Sequence, residues 1–390
     1  MMQRQNLHQL ILMHIKLTSM KKYLFLALFC CTTLAVSAQS AFDKGLEQYK
    51  TGQYNDAITS FSTYVTANPK SYTALYNIGL CYYKLANNEQ AAAYFKRSID
   101  IKPDYTEALI QLGNSYDNLD RTDDAVAAYQ KALQIEPNNA SANFELGVLH
   151  YRKKNYNTAV SYFQNSIRIK PDYAEAHYRL ARCYKEMNNP TSWRTELETA
   201  IRLGCVNTWA WYSLAEIVYG EKDFQRAAEL LNTAVKYNAD NYDAYKMLGD
   251  AYTSLKQYDN AITAYKEAMR IKPSSTDVQI GLGNVYYNQH LNAEAVPYYK
   301  KATELSPSYE TGWLYLADAY MNSGDYTNAL PAYKKALALN PKDETVIYGL
   351  GLLYYNTKNK DMAMQQYNLL KQYNNTTLAD KLMDFIKKLQ

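Results

Sequence analysis

Residues 106–139 read TEALIQLGNSYDNLDRTDDAVAAYQKALQIEPNN, and this stretch of 34 residues decides the fold. Positions 4, 7, 8 and 11 of the stretch are Leu109, Leu112, Gly113 and Tyr116. That is the spacing of apolar and small residues along one face of an α-helix. A second apolar stripe falls at positions 20, 24 and 27, and a proline at position 32 ends it. The stretch therefore predicts two helices joined by a short turn.

The same pattern repeats ten times between residues 38 and 377 without insertion or deletion. The small residue at position 8 recurs as Gly45, Gly79, Gly113, Gly147, Ala181, Ala215, Gly249, Gly283, Ala317 and Gly351. Alanine at position 20 and an aromatic residue at position 24 recur in most copies, so we expect the two helices to cross closely there. Residues at position 18 are predicted to cap the second helix: Asn55, Asp123, Asn157, Asp259 and Thr327.

These copies resemble the tetratricopeptide repeat, a helix–turn–helix unit of 34 residues. Repeat 3 carries Leu112-Gly113, Tyr116, Ala125, Tyr129 and Pro137 at the positions of the family pattern. The resemblance implies an all-α, right-handed superhelical solenoid of ten helix–turn–helix repeats. We predict repeats 1–5 over 39–207 and repeats 6–10 over 208–377. An amphipathic segment over 378–390 is predicted to be a C-terminal capping helix, because terminal repeats must cover their outer apolar face.

Repeat 5 departs from the period. Trp193 stands where the close-packed alanine belongs, Pro190 lies in the turn, and Cys205 replaces the closing proline. A tryptophan does not fit a tight helix crossing, which predicts a local change of helix geometry around 188–211 that divides the array. A repacked irregularity is the alternative interpretation.

The N-terminal residues read as an export leader. Residues 20–38 combine the basic Met20-Lys21-Lys22, an apolar run and a small-residue cleavage site near Ala38, which is typical of a signal peptide. Residues 1–19 are interpreted as a mis-called start. The apolar run is shorter than the ~20 residues that a spanning helix needs, so no integral membrane span is expected in the mature protein. We expect an exported bacterial protein, periplasmic or outer-membrane-associated, with lipidation at Cys30 or Cys31 left open.

The net charge of +4, from 42 basic and 38 acidic residues, belongs to this leader. The first 40 residues contain no acid and four basic residues, Arg4, Lys16, Lys21 and Lys22. Without them the array has 42 − 4 = 38 bases against 38 acids. A neutral array gives no indication of a nucleic-acid partner.

No catalytic motif is present in the sequence, and no cofactor or metal is expected. His150 and His177 fall on the buried stripe of their helices, so they are interpreted as core residues and not as ligands. We therefore expect a protein that is not an enzyme.

Binding is the better prospect. In the tetratricopeptide family, positions 5, 9 and 12 of the first helix line a concave groove that takes extended peptides or helices. The residues predicted to form this groove here are Tyr76, Tyr83, Asn114, Phe144, Tyr151, Arg152, Tyr178, Arg179, Arg182, Lys185, Tyr212, Glu216, Tyr219, Asp250, Asn284, Tyr287 and Asp318. Their order indicates a basic centre beside an acidic C-terminal half. Two alternatives stay open: tyrosines packing on one another, and a ladder of ion pairs.

The sequence thus predicts a non-catalytic scaffold or adaptor whose partner is a protein segment, an extended peptide or a helix. Assembly of an envelope or secretion complex is the setting that the leader and the resemblance favour. A carbohydrate- or envelope-polymer-binding protein that uses the tyrosines is one alternative. A regulatory subunit of a separate enzyme is another.

Overall fold

The computed structural model of the protein describes residues 39–389. Every regular element in that range is an α-helix, 21 in all, and consecutive helices pack in pairs as repeats. The predicted all-α repeat fold is therefore confirmed. The predicted leader, with its cleavage site and Cys30 and Cys31, lies outside the described residues.

Each repeat contributes two helices. The first helices are α1 (39–50), α3 (Tyr72–Lys84), α5 (Thr106–Asn118), α7 (Ala140–Arg152), α9 (Ala174–Glu186), α11 (Thr208–Gly220), α13 (Tyr242–Ser254), α15 (Thr276–Asn288), α17 (Glu310–Asn322) and α19 (Glu344–Asn356). The second helices are α2 (Tyr54–Ala67), α4 (Asn88–Ile101), α6 (Thr122–Ile135), α8 (Tyr156–Ile169), α10 (Pro190–Arg202), α12 (Phe224–Tyr237), α14 (Tyr258–Ile271), α16 (Asn292–Leu305), α18 (Tyr326–Leu339) and α20 (Lys360–Gln372). Helix α21 (Thr376–Ile386) follows the last repeat.

The chain divides into two compact units, an N-terminal unit that ends at Glu196 and a C-terminal unit that starts at Leu197. This division falls inside α10, within the irregular repeat 5. The boundaries predicted for the repeats at 207 and 208, and the change of helix geometry around 188–211, stay predictions.

The turn between the two helices of a repeat depends on its position 15. All ten residues there have a positive φ, among them Gly52 at 79° and Gly324 at 84°. The other eight are not glycines: Ala86, Asp120, Lys154, Asn188, Lys222, Lys256, His290 and Lys358. A left-handed residue ends the first helix and reverses the chain, as in common helix C-terminal motifs.

The predicted caps at position 18 are wrong. The second helices begin at position 17, so Asn55 and Asp123 lie inside the first turn. The cap is position 16, where Asn87 and Asp223 accept from the backbone N–H three residues later. Acidic side chains at position 18 still suit the helix, because the N-terminal end of a helix dipole favours negative charge.

Glycine at position 8 makes room for the ring at position 24 of the same repeat. A Cβ on Gly113 would lie 2.5 Å from Tyr129 Cε1, and one on Gly283 would lie 2.4 Å from Tyr299 Cε1. Such distances are far inside van der Waals contact. The close crossing predicted from the small residues therefore has a specific cause, an aromatic ring packed against the glycine of the first helix.

The capping helix predicted at the C-terminus is α21. Its Leu382 and Ile386 are buried, and a Cβ on Gly351 would lie 2.4 Å from Leu382 Cδ2. Phe385 packs on Tyr355 with ring centroids 5.3 Å apart. Helix α21 thus covers the apolar face of repeat 10, as a solenoid end requires.

Candidate binding surface

The first helices of the repeats carry all the residues that the sequence assigns to a groove. We call them the first-helix layer, considered separately in each compact unit. In the N-terminal unit this layer, α1, α3, α5, α7 and α9, contains seven basic and seven acidic residues. In the C-terminal unit, α11, α13, α15, α17 and α19 contain one lysine, Lys246, against seven acids: Glu216, Asp243, Asp250, Asp277, Glu310, Asp318 and Glu344. Only the second layer has a strong net charge.

Within the N-terminal unit, the predicted basic residues lie beside acids of this layer or beside aromatic rings of the unit. Arg152 pairs with Asp117, and Arg179 Nε lies 2.8 Å from Glu175 Oε1. The Lys185 ammonium lies 4.9 Å from the ring centroid of Trp193. The alternative interpretation, a ladder of ion pairs, thus describes Arg152 and Arg179 well.

The half-buried carboxylate of Glu145 lies among these charges. Burial and the nearby charge of Asp117 raise the pKa of Glu145 to about 7, although Arg179 and Arg152 act in the opposite direction. Glu145 is at position 6 of repeat 4, which the sequence did not assign to the groove. In the N-terminal layer, arginines of the same layer therefore partly offset the cost of the Glu145 charge.

The position-5 aromatic residues of this unit serve mainly as packing. Tyr178 is 3% exposed and Phe144 7% exposed. Tyr76 lies half-buried against Phe95 and Tyr105, with centroids 5.6 and 5.1 Å away. The position-12 tyrosines, Tyr83 and Tyr151, are half-buried, and the Arg182 guanidinium sits 4.9 Å from the centroid of Tyr151. Position 12 is therefore closer to the surface than position 5.

Position 9 has a role that the sequence interpretation missed. In four repeats it accepts a hydrogen bond from the buried tyrosine hydroxyl at position 24. Tyr129 donates to Asn114 at 2.6 Å and Tyr299 to Asn284 at 2.7 Å. Tyr265 donates to Asp250 at 2.6 Å, and Tyr333 donates to Asp318.

The sequence contains a signal for these bonds. Repeats 1, 2 and 4 have phenylalanine at position 24, and their position-9 residues are the apolar Leu46, Leu80 and Val148. A buried hydroxyl without a partner is costly, so a buried tyrosine at 24 requires a polar residue at 9. Tyr367 of repeat 10 is only half-buried, and position 9 of that repeat is the apolar Leu352. Comparing the two positions across the repeats of this single chain would have revealed the pairing.

A pocket of about 430 Å³ opens in the C-terminal unit and brings five predicted residues together: Tyr219, Asp250, Asn284, Tyr287 and Asp318. It is also lined by Thr253, Ser254, Tyr265, Asn288, Tyr299 and Tyr315. Positions 6, 9, 12 and 13 thus face the pocket. Tyr212 and Glu216 are half-buried in the same unit and do not line it.

The two carboxylates of the pocket differ in their neighbours. Lys246 Nζ lies 3.0 Å from Asp250 Oδ2. No lysine or arginine of the described chain forms an ion pair with Asp318. Burial raises the pKa of Asp318 to about 6, even though the hydrogen bond from Tyr333 favours the ionised form. The pocket therefore holds a carboxylate that lacks a cation.

The two histidines that the sequence placed in the core differ. His177 is 8% exposed, and its Nδ1 lies 2.6 Å from Glu196 Oε2. His150 is half-buried and stacks on Tyr162, with centroids 5.4 Å apart. Cys81, Cys183 and Cys205 are buried. Over residues 39–389, no helix has the length and apolar character to cross a membrane.

The helices are paired at a constant period, and the candidate binding residues lie on the first helix of each pair. This arrangement defines an α-helical repeat protein of the solenoid class. Family models sharpen this. One described as TPR repeat matches 118–154 and 249–289. Two described as tetratricopeptide repeat match 42–106 and 280–344, and 150–202, 218–262 and 321–383. Together the matches span well over half of the chain, which therefore belongs to the tetratricopeptide-repeat family.

Several solved structures are similar to the chain at low identity. Yeast Tom70 is 14% identical, with 90% of this chain and 95% of that one covered, at a TM-score of 0.39. Pseudomonas aeruginosa pilF is 20% identical, with 55% and 97% covered, at 0.49. MamA is 26% identical, with 43% and 92% covered, at 0.39. None of the curated proteins matches the chain.

Proposed function

We propose that the chain is non-catalytic and binds an extended peptide or helix on the first-helix layer of its C-terminal unit. Tetratricopeptide repeats generally bind protein partners, and the chain is a protein-interaction scaffold in that sense. The pocket between Tyr219 and Asp318 is the observation that carries the proposal. Its volume lies in the range of about 300–1,000 Å³ that is usual for ligand sites.

The chemistry of the lining suits recognition of a polypeptide. Asn284 and Asn288 offer amides to a peptide backbone, while Tyr287 and Tyr315 offer rings with a polar edge. Side chains of this kind give contact area at a small entropic cost. The N-terminal candidates, Tyr83, Tyr151 and Arg182 among them, form a second candidate surface on a separate unit.

The setting that we propose is the assembly of an envelope or secretion complex by an exported bacterial protein, periplasmic or associated with the outer membrane. The signal-like sequence of residues 20–38 supports export. A glycan or envelope polymer remains the alternative ligand, because tyrosine rings also stack on sugars. A regulatory arm for a separate enzyme is the other alternative.

Matched tyrosine variants test the proposal. The full chain is used to capture envelope proteins, and each captured protein is purified and rebound to Tyr219→Ala/Tyr287→Ala and to Tyr83→Ala/Tyr151→Ala. All four tyrosines occupy position 12, so the two variants remove the same groups from different units. We expect rebinding to fall at least about tenfold only in the C-terminal variant. Equal affinity for both variants would refute the proposal, and binding to a glycan array in place of proteins would favour the alternative.

A further inference from the structure

The pocket of the C-terminal unit is lined by aromatic rings and carboxylates, which are the groups that bind a cation. Tyr219, Tyr287 and Tyr315 surround it, and the carboxylates of Asp250 and Asp318 lie among them. We infer that the pocket takes a lysine or arginine side chain from the segment that the scaffold binds. The inference rests on the proposed function and specifies its partner as a basic polypeptide segment.

The N-terminal unit shows what such a site looks like when the chain fills it. There Arg182, at position 9 of repeat 5, sits 4.9 Å from the ring centroid of Tyr151, at position 12 of repeat 4. A guanidinium at that distance from a tyrosine ring makes a cation–π contact. The chain thus places its own cation over a position-12 tyrosine.

The C-terminal unit repeats this arrangement with the charge inverted. Tyr219 and Tyr287 occupy position 12 of repeats 6 and 8, and position 9 of the following repeats is Asp250 and Asp318. In the described chain no lysine or arginine lies over either tyrosine ring. A tyrosine beside a carboxylate leaves a place between them that a ligand cation can occupy.

Charge outside the pocket points the same way. Lys246 is the one base among the first helices of this unit, and it pairs with Asp250. The remaining acids of the layer give it a net negative potential, which attracts a basic segment and increases its association rate. A cation that enters also meets Asp318, whose carboxylate has no ion pair among the described residues. A ligand cation bound beside Asp318 offsets part of the free-energy cost of burying that carboxylate.

The chain itself supplies the appropriate variants. Asn114 and Asn284 accept the same hydroxyl bond that Asp250 and Asp318 accept. Asp250→Asn and Asp318→Asn therefore retain the bond from position 24 and remove only the charge. Asp259→Asn, at an exposed position on α14, is the control for the loss of a carboxylate charge outside the pocket.

The test uses peptides selected from a random phage-displayed library against the full chain. Each selected peptide is resynthesised as a series in which one lysine or arginine at a time is replaced by norleucine, which keeps an alkyl side chain. Affinities are measured by fluorescence anisotropy for the original chain, the Asp250→Asn/Asp318→Asn variant and the Asp259→Asn control.

We expect one basic residue per peptide whose replacement weakens binding at least about tenfold in the original chain and the control, and hardly at all in the double variant. Peptides that bind equally well with norleucine would overturn the basic-residue inference and leave the scaffold proposal standing. The same holds if the basic residue matters equally in the double variant. Failure to select any binding peptide would overturn the scaffold proposal and the inference together.

Discussion

The first-helix layers of the two compact units share the 34-residue period and the helix–turn–helix repeat, yet they differ in the balance of acidic and basic residues. The N-terminal layer balances its acids with bases, and Arg152 and Arg179 pair within it. The C-terminal layer has Asp318 without a cation beside a pocket. The difference lies in a few side chains of the first helices, among them Arg152 at position 13, Arg179 at position 6 and Asp318 at position 9. A repeat protein can therefore keep the same fold and still have one surface whose charges pair within the chain and another whose carboxylate is left to pair with a ligand.

Removal of the Asp318 charge is expected to have the largest effect on stability. Asp318→Asn should stabilise the protein by about 3 kcal/mol at pH 8 and hardly at all near pH 4. The pKa of Asp318 is raised from 3.8 to about 6, so the folded state binds more protons than the unfolded state between these values. Stability from this group is therefore present at low pH and is lost as the pH rises through 6.

Urea unfolding of both proteins at several pH values measures the effect, with Trp313 of the same helix as an emission probe beside circular dichroism. Asp259→Asn, which removes an exposed charge, should show no comparable pH-dependent gain. A stability difference for Asp318→Asn that does not grow with pH would show that the carboxylate is not a buried, isolated charge.

An exchange of core residues between repeats tests the pairing of positions 9 and 24. Phe163→Tyr in repeat 4 should cost about 2 kcal/mol, because its hydroxyl would face Val148 and lack an acceptor. Adding Val148→Asn should restore most of that loss by recreating the bond that Tyr299 makes to Asn284. Denaturant unfolding of the two variants checks this, and a double variant as unstable as the single one would contradict the pairing rule.

Peptide binding should depend on pH in the C-terminal unit. Protonation of Asp318 below pH 6 should weaken a basic peptide about tenfold, because the neutral carboxyl no longer attracts the cation. The titratable groups that face Asp318 are the hydroxyls of Tyr287, Tyr299, Tyr315 and Tyr333, whose pKa values burial raises further from neutrality. Anisotropy titrations from pH 5 to 8 measure the change. The Asp318→Asn variant should lose this dependence, and a wild-type affinity that stays constant over the range would contradict the assignment.

The smallest effect is expected in the N-terminal layer. Arg179→Gln removes an ion pair to Glu175 that is about one-third exposed on each side. Such pairs contribute under about 1 kcal/mol and are screened by salt. Thermal melts in low and high salt should differ from those of the original chain only at low salt. A loss of several kcal/mol that persists at high salt would show that the pair supports the core directly.

The sequence predicted the fold in nearly full detail, because a fixed period repeats the same evidence ten times. It placed the caps of the second helices at position 18 when the structure puts them at 16. Asn, Asp and Thr are common both as caps and in the first turn, and residue type alone does not separate the two. The irregular Trp193 was recognised, whereas the geometry around it depends on side-chain packing that no pattern specifies.

The candidate surface was predicted less completely. The spacing of positions 5, 9 and 12 identified five pocket residues, including Tyr287 and Asp318. It missed Asn288 and Tyr315, at positions 13 and 6, because the rotation of the helix against its neighbours decides which flank is open. It also assigned Tyr178 to the groove, although packing buries that residue. These outcomes depend on the helix crossing, which the sequence specifies only through the sizes of the residues that meet there.

The most direct test of the account is to locate a bound basic peptide on the full chain. A selected peptide with a photoreactive group next to its essential lysine or arginine is crosslinked, and the attachment sites are mapped by mass spectrometry. The account predicts attachment on α11, α13, α15 and α17, reduced at least about tenfold by Asp250→Asn/Asp318→Asn and unchanged by Asp259→Asn. Attachment on the N-terminal unit, or on the same four helices with equal yield in the double variant, would contradict it.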